Sequence, residues 1–236
     1  MEDVAGSKLE GRILSVNVGM PRDLGREGAE QAFDRPWRTG MLKDPVAGPV
    51  WVGRTNLAGD GQGDTRIHGG PDRAVHAYPS EHYASWRRQL PGLELDYAAF
   101  GENLTTLGLT EATVCIGDSF EAGRAVVQVT QPRIPCWKLG RRFRVKDMAV
   151  RFRTAGRVGW HMRVLVCGNV QAGEPITLLE RPEPSWTLER SLQVILDPLA
   201  EPEAALQLAG SPYLSAYQRR ALLGPGTVAR RVEIEE

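Results

Sequence analysis

Cys136 is the residue whose surroundings best suit chemistry. It lies in residues 131–137 (QPRIPCW), where the prolines rule out regular strand pairing and predict a rigid loop at the end of a strand. A thiolate in such a loop can act as a nucleophile or as a soft metal ligand. Cys115 and Cys167 stand in apolar, strand-like runs and are expected to be structural. An odd number of cysteines favours free thiols in a reducing compartment.

The chain around and after Cys136 is strongly basic. From Arg133 to Arg157 there are nine basic residues and one acid, Asp147. This stretch could face an anion, and the alternative is a solvated basic face. The whole chain has 29 basic and 29 acidic residues, and this zero net charge argues against a general binder of nucleic acids or membrane surfaces.

A glycine-rich segment at residues 61–76 (GQGDTRIHGGPDRAVH) is the densest polar cluster. Paired glycines allow the backbone to approach an anion and present N–H groups to it, and His68 and Arg73 could add donors. A glycine-containing hairpin turn explains the same spacing. His76 falls in an alternating strand pattern, which indicates a core or sheet-face histidine and not a ligand.

Two weaker motifs could line the same site. Residues 100–108 (FGENLTTLG) enter a strand and leave the Asn103 amide free to hydrogen-bond a ligand. In residues 156–160 (GRVGW), Arg157 stands between glycines and could bind a phosphate through two donors, or lie on the surface as an ordinary turn arginine.

Short β-prone runs separated by glycine and proline are expected to position these residues in a closed, mainly β sheet. The predicted strands are residues 12–18, 50–55, 74–78, 103–106, 119–122, 125–130, 162–167 and 176–179. Helices are predicted at residues 80–89 and 137–144, with a short third one at about 146–152.

After residue 181 the pattern changes to three helix-length segments separated by breakers. We therefore expect a β domain at residues 1–181 and a helical extension at residues 182–236. The extension is expected to serve as a packing or dimerisation cap, which would allow a homodimer. A helix-turn-helix reader of nucleic acid is disfavoured because no strong basic excess is present.

The composition is that of a folded globular protein, with 42% apolar and 25% charged residues. The longest apolar runs are far shorter than the ~20 residues that cross a bilayer. The first residues lack the basic and apolar regions of an export signal, so a cytoplasmic protein is expected.

Six motifs, taken in order, resemble the MOSC domain of YiiM-type proteins over about residues 10–180. They are TGMLK at residues 39–43, IHGGPDRAVHAYP, FGENLTTLGL, IGDSF, QPRIPCWKL and GRVGWHMRVL. The helical tail is similar to the three-helix extension of this branch. The resemblance implies a MOSC-type β-barrel with a few short helices and a small C-terminal three-helix unit.

The resemblance also implies the molybdenum cofactor, in which a molybdopterin holds the metal. Cys136 would be the metal ligand and, with His68 as the proton-handling group, would carry the chemistry. The pterin and its phosphate would be bound by Lys43, Arg73, Arg133 and Arg157, with His68, Gly69, Gly70 and Asn103 lining the same cleft. His68 could instead be a structural histidine that orients its loop.

The activity that the resemblance implies is reduction of N-hydroxylated compounds, such as hydroxylaminopurines and amidoximes, to amines. No iron–sulfur or flavin motif is visible, so a separate reductase is expected to supply electrons. Two positions depart from the family pattern: His161 stands where an aromatic residue is common, and Glu174 replaces an aspartate. The first could alter the cofactor surroundings or the substrate preference.

Three other interpretations stay open from the residues. A cysteine hydrolase would need His68 or His161 within hydrogen-bonding reach of the Cys136 sulfur. A carrier of the cofactor or of sulfur could use the same cleft without turnover. A zinc site is disfavoured because His68, His76 and Cys136 form no compact ligand spacing.

Overall fold

The structure, a computed structural model, describes residues 9–224. The outer ends of the two predicted domains, residues 1–8 and 225–236, lie outside that range. The strands are β1 (Glu10–Val18), β2 (Arg22–Leu24), β3 (Trp37–Thr39), β4 (Asp44–Pro45), β5 (Val50–Val52), β6 (Val75–Pro79), β7 (Leu104–Leu107), β8 (Ser119–Ala122), β9 (Ala125–Pro132), β10 (Trp160–Val166), β11 (Gly168–Val170) and β12 (Pro175–Glu180). The helices are α1 (Thr65–His68), α2 (Glu81–Gln89), α3 (Lys138–Phe143), α4 (Met148–Ala155), α5 (Leu188–Leu196), α6 (Pro202–Gly210) and α7 (Ala216–Leu223).

Seven strands close into a barrel in the order β12, β8, β9, β10, β6, β7, β1, and β1 pairs back onto β12. Neighbouring barrel strands are antiparallel except for β6 and β7, which are parallel. A parallel pair needs a crossover, and α2 with the loop after it supplies one. The barrel and its few short helices confirm the predicted mainly β fold.

The barrel interior is filled by apolar side chains from alternate positions of each strand. In β10 the side chains of Trp160, Met162 and Val164 are buried, while the residues between them are less covered. Such alternation places one face of each strand in the core, because successive side chains point to opposite faces. His161 therefore leaves the core face and lies on the opposite side of β10.

A second apolar cluster packs α2, α3 and α4 against the barrel. The rings of Trp86 and Phe152 stack 4.5 Å apart, and Tyr78 and Phe100 pack beside them. Each of these fully buried aromatic side chains contributes about 2–3 kcal/mol of burial free energy. Because α3 begins two residues after Cys136, this cluster also fixes the loop that carries the cysteine.

The three C-terminal helices agree with the prediction, and their starts are stabilised by side-chain caps or a proline. Thr187 Oγ1 accepts from the Arg190 N–H, Ser215 Oγ accepts from the Gln218 N–H, and Pro202 opens α6. Apolar residues of these helices, including Leu208, belong to the same buried cluster as the barrel strands. The domain boundary near residue 182 stays a prediction. Within residues 9–224, no helix is long and apolar enough to cross a membrane.

Candidate active-site cleft

A cleft of about 680 Å³, counted with its open mouth, lies at one end of the barrel. Its walls come from the loops after β3 and β5, the end of α1 and the turn after it, the ends of β6 and β10, the segment before β7, and the loop between β9 and α3. The lining residues are Thr39, Gly40, Met41, Lys43, Asp60, Gly61, Gln62, Gly63, His68, Arg73, His76, Gly101, Asn103, Arg133, Ile134, Cys136, Lys138 and His161. Six of the residues singled out from the sequence meet here: Lys43, His68, Arg73, Asn103, Arg133 and Cys136.

Cys136 is half-buried at the wall of this cleft, between the end of β9 and the start of α3. Its carbonyl accepts from the Leu139 N–H at 3.2 Å, which ties the loop to the first turn of α3. Cys136 lines the cleft, whereas Cys115 is buried and burial raises its pKa to about 11. Cys136 is thus the cysteine that faces the cleft.

Arg133 is a buried cation beside the cysteine. It is 7% exposed, and its backbone N–H donates to the Gly159 carbonyl at 2.9 Å. Burial lowers the pKa of the Arg133 guanidinium. Its Nη1 is shielded from solvent and has no hydrogen-bond partner. A buried unpaired donor costs about 1–3 kcal/mol, so this side chain favours an acceptor in the cleft.

His76 and His161 form a pair on the cleft floor. They are register partners on β6 and β10, with ring centroids 5.1 Å apart. His76 Nδ1 lies 3.3 Å from the Gly101 carbonyl oxygen. Burial, with Arg133 nearby, lowers the pKa of His76 well below its ordinary value. His76 Nε2 and His161 Nδ1 are both buried without partners.

Gly159, the residue just before β10, must be a glycine because the β6 backbone passes close to it. Gly159 has φ +70°, and a Cβ there would lie 2.4 Å from the Ala77 carbonyl oxygen and 3.1 Å from His76 Nε2. Any side chain would therefore collide with the β6 backbone and crowd the imidazole. The glycine therefore allows β10 to pair with β6 beside His76.

Lys43 and Asn103 are held by Asp60, a residue that sequence reasoning missed. Asp60 Oδ1 accepts from Lys43 Nζ and from the Gly19 N–H, and Oδ2 accepts from Asn103 Nδ2 at 2.9 Å. Asn103 Oδ1 in turn accepts from the His76 N–H at 3.0 Å. Burial lowers the pKa of Lys43, and Asp60 offsets part of that shift. The network connects the cleft wall to the strand that carries His76.

His68 ends α1 and is half-buried at the cleft. Its pKa is lowered to about 4 by burial and by the positive charges of Lys138, Arg73 and Arg133. The imidazole is therefore neutral at pH 7. An anion placed among these three cations would offset their repulsion and raise the pKa of His68.

Three predicted residues do not line the cleft. Gly69 and Gly70 shape the turn after α1, where a Cβ on Gly69 would lie 2.7 Å from the Thr65 carbonyl oxygen and Gly70 adopts φ +96°. Arg157 points away: its Nη1 donates to Ser85 Oγ on α2 at 2.5 Å. A cofactor contact from Arg157 would require its guanidinium to leave that serine.

The cleft fits an anionic ligand with polar edges and a soft metal. Arg133, Arg73 and Lys138 supply positive charge, three buried polar atoms lack partners, and a thiol faces the same space. Among the described residues, no group of three or more His, Cys, Asp or Glu side chains is arranged to hold a metal ion by itself. A metal here would thus take one protein ligand, Cys136, and its other ligands from a cofactor.

Comparison with known proteins agrees with these features. The MOSC domain profile matches residues 64–177. The chain is 47% identical over 171 residues to the uncharacterized protein YflK of Bacillus subtilis, covering 72% of this chain and 74% of that one. It is 44% identical over 156 residues to protein YiiM of Escherichia coli, covering 65% of this chain and 70% of that one.

Two further proteins are similar to this chain, one in its solved structure and one in its sequence. The crystal structure of YiiM from Geobacillus stearothermophilus superposes with a TM-score of 0.74 at 34% identity, covering 94% of this chain and 99% of that one. A protein of Gibberella moniliformis named Reductase is 36% identical over 245 residues, covering 98% of this chain and 42% of that longer protein. MOSC domains are associated in general with binding of the molybdenum cofactor. The chain belongs to the MOSC domain family, in its YiiM-type branch.

Proposed function

We propose that this chain binds a molybdopterin-type molybdenum cofactor in the cleft and reduces N-hydroxylated compounds to amines. The observation that carries the proposal is the placement of Cys136 in the cleft wall, beside the buried, incompletely paired guanidinium of Arg133. A thiolate is a soft ligand that suits molybdenum, and a guanidinium matches phosphate and carbonyl oxygens.

Cys136 would hold the metal, and the cations around it would hold the rest of the cofactor. Arg73, Arg133 and Lys138 would neutralise its phosphate, while His76 Nε2 would hydrogen-bond a polar group of its ring system. His161 Nδ1 offers one more polar contact on the same floor. When bound, this cofactor supplies a metal centre able to deliver two electrons to an N–O bond.

Reduction of an N-hydroxylated compound to an amine also consumes two protons and releases water. We assign proton handling to His68, which lines the cleft near Lys138 and is neutral in the absence of an anion. Anion binding would raise its pKa toward the working pH, where an imidazole exchanges protons most effectively. Lys43 is unsuited to this task because Asp60 holds its ammonium.

Electrons would come from a separate reductase. The fungal relative named Reductase includes a region similar to nearly all of this chain within a much longer polypeptide, which supports an oxidoreductase role for the similar part. A small N-hydroxylated molecule such as a hydroxylaminopurine or an amidoxime would be the substrate.

Two alternative functions, a cysteine hydrolase and a carrier protein, would use Cys136 differently. A cysteine hydrolase needs a histidine hydrogen-bonded to the sulfur, and within residues 9–224 no such bond to Cys136 is formed. A carrier of cofactor or sulfur would fill the same cleft without turnover.

The experiment is an amine-forming assay with benzamidoxime and a hydroxylaminopurine, using cofactor-loaded protein and a chemical electron donor. We expect amine formation that is lost in Cys136→Ser and kept in Cys167→Ser. Loaded protein that turns over neither substrate would favour carriage. Turnover of an ester or amide by metal-free protein would favour a hydrolase.

A further inference from the structure

The C-terminal helix α7 begins directly against the loop that carries Arg73. The Ala216 N–H donates to Asp72 Oδ2 at 2.9 Å, and Ser215 Oγ donates to Gln131 Oε1 at 2.5 Å. The Ser215 N–H also donates to the Thr130 carbonyl at 3.0 Å. These contacts fix the start of α7 to the cleft loop and to the end of β9.

Tyr217, in the first turn of α7, lies under the Arg73 guanidinium. The Arg73 Cζ atom is 4.1 Å from the centre of the tyrosine ring. Arg73 Nε donates to Gln131 Oε1 at 3.3 Å, and Nη1 donates to the Ile67 carbonyl. A guanidinium that stacks on a ring keeps its remaining N–H groups free to donate in its own plane.

The contact between Tyr217 and Arg73 does more than pack the helix onto the barrel. Tyr217 is 45% exposed and contributes little to the apolar core, whereas Leu222 of the same helix is 2% exposed. Gln131 Oε1 accepts from both Ser215 and Arg73, so the helix and the cleft arginine share one acceptor. Helix α7 therefore restrains Arg73 in two ways. The Tyr217 ring packs against the face of the guanidinium, and Ser215 holds the Gln131 side chain to which Arg73 donates.

We infer that α7 is part of the anion-binding site, and that Tyr217 is a positioning residue that holds the Arg73 guanidinium ready for a phosphate group. The inference rests on the proposed role of Arg73 in binding the cofactor phosphate. Ordering a long side chain before binding removes part of the entropy loss from the binding step. Without the ring we expect anion affinity to fall about three- to tenfold.

The test uses the full chain without cofactor and inorganic phosphate as the probe. Binding is followed by NMR of the arginine Nε–Hε signals, with the Arg73 signal assigned by its loss in Arg73→Lys. We expect the ring current of Tyr217 to displace this signal in the wild type and in Tyr217→Phe, and not in Tyr217→Ala or Tyr217→Leu. Phosphate affinity should fall about three- to tenfold in Tyr217→Ala and Tyr217→Leu, and stay within about twofold in Tyr217→Phe.

Leu223→Ala is the matched control, since Leu223 lies on the same helix and is 43% exposed. It should bind phosphate like the wild type. Tyr217→Leu keeps an apolar, helix-forming side chain. If this variant loses phosphate affinity while its melting temperature is unchanged, the loss comes from the position of Arg73 and not from unfolding.

Wild-type phosphate affinity in both Tyr217→Ala and Tyr217→Leu would overturn the inference, as would equal losses in Leu223→Ala. The inference would also be overturned if Arg73→Lys bound phosphate as tightly as the wild type and if adding Tyr217→Ala to that variant still lowered its affinity. The proposed function is tested by a different measurement: it fails if molybdenum retention does not depend on Cys136, whatever the phosphate affinities are.

Discussion

The imidazole rings of His76 and His161 lie 5.1 Å apart on neighbouring strands, and each presents a buried nitrogen without a partner to the same cleft. We expect two such nitrogens, with Arg133 Nη1 also unpaired, to lower the stability of the protein in the absence of a ligand. A polar ligand that pairs with them would recover this free energy. Unpaired polar groups on the cleft floor therefore lower the free energy of unfolding without ligand and favour the binding of a polar ligand.

Replacement of His161 by phenylalanine is expected to stabilise the protein and weaken cofactor retention. The ring shape is kept while the unpaired Nδ1 is removed, so the free energy of unfolding should rise by about 1 kcal/mol. That corresponds to an increase of about 2–4 °C in melting temperature for a chain of this size. Thermal melting of protein without cofactor measures the first effect, and molybdenum content measures the second.

His82→Phe is the matched control. His82 Nε2 is paired with Glu111 Oε2 at 2.7 Å, so its loss leaves a buried carboxylate without that partner and should lower the melting temperature. A lower melting temperature in His161→Phe as well would show that His161 Nδ1 is paired in solution.

Asp60→Ala should be strongly destabilising. The substitution leaves the Lys43 ammonium, whose side chain is 6% exposed, without its counter-charge, and it removes an acceptor from Asn103 and from the Gly19 N–H. Breaking a buried pair in this way costs about 3–5 kcal/mol. Urea denaturation at pH 7 measures the loss.

The exposed pair of Asp44 and Arg22 provides the comparison, with side chains 80% and 55% exposed. Asp44→Ala should cost less than about 1 kcal/mol. Similar losses in the two variants would argue against a buried Lys43–Asp60 pair.

The free energy of unfolding should fall as the pH is lowered from about 6.5 to about 4, and His68 should contribute to that slope. The folded pKa of His68, about 4, lies below its ordinary value of 6.5, so in this window the unfolded state binds more protons than the native state. Stability is therefore full above pH 6.5 and declines with acid. His76 and His161, with pKa values lowered in the same direction, add to the effect.

Denaturation series at several pH values check this expectation. His68→Gln should show a shallower decline with acid than the wild type. An unchanged slope in His68→Gln would mean that its imidazole has an ordinary pKa in the folded protein, and a steeper slope would mean that this pKa is raised; either result contradicts the expectation. Histidine NMR in the presence of phosphate should show the pKa of His68 moving upward.

Arg133 and Arg157 give opposite expectations. Arg133 is buried at the cleft with an unpaired Nη1, so Arg133→Met should lower molybdenum content severalfold. Arg157 is bonded to Ser85, so the geometry favours near-normal content in Arg157→Ala, although the sequence resemblance predicts a cofactor contact. Equal losses in both variants would mean that Arg157 turns into the cleft when the cofactor binds.

Much of the barrel could be predicted because its strands carry strong local signals. The predicted strand at residues 119–122 coincides with β8, and those at 125–130 and 162–167 fall within two residues of β9 and β10. The short pair β2 and β3 was missed, as was β11. Each has only three residues, too few for a period of two to stand out.

The residues that line the cleft were harder to predict from the sequence than the strands. Cys136, Arg133 and Arg73 stand in distinctive motifs, whereas Asp60 lies in an ordinary glycine-containing turn and gains its role only through contacts with distant residues. His76 was predicted to be a core or sheet-face residue. It is buried in β6, as expected, yet it also lines the cleft, because pairing with β10 sets it beside His161. Such register is not visible in one sequence, since the two histidines are far apart along the chain.

The central claim is that Cys136 binds molybdenum, and its most direct test is the metal content of protein made in a host that synthesises the cofactor. We expect molybdenum near one equivalent in the wild type and in Cys167→Ser, and about a tenth of that or less in Cys136→Ser, because a hydroxyl is a far poorer soft ligand than a thiolate. Melting temperatures of the two variants without cofactor should agree with the wild type. Equal molybdenum content in Cys136→Ser and the wild type, or none in either, would contradict the account.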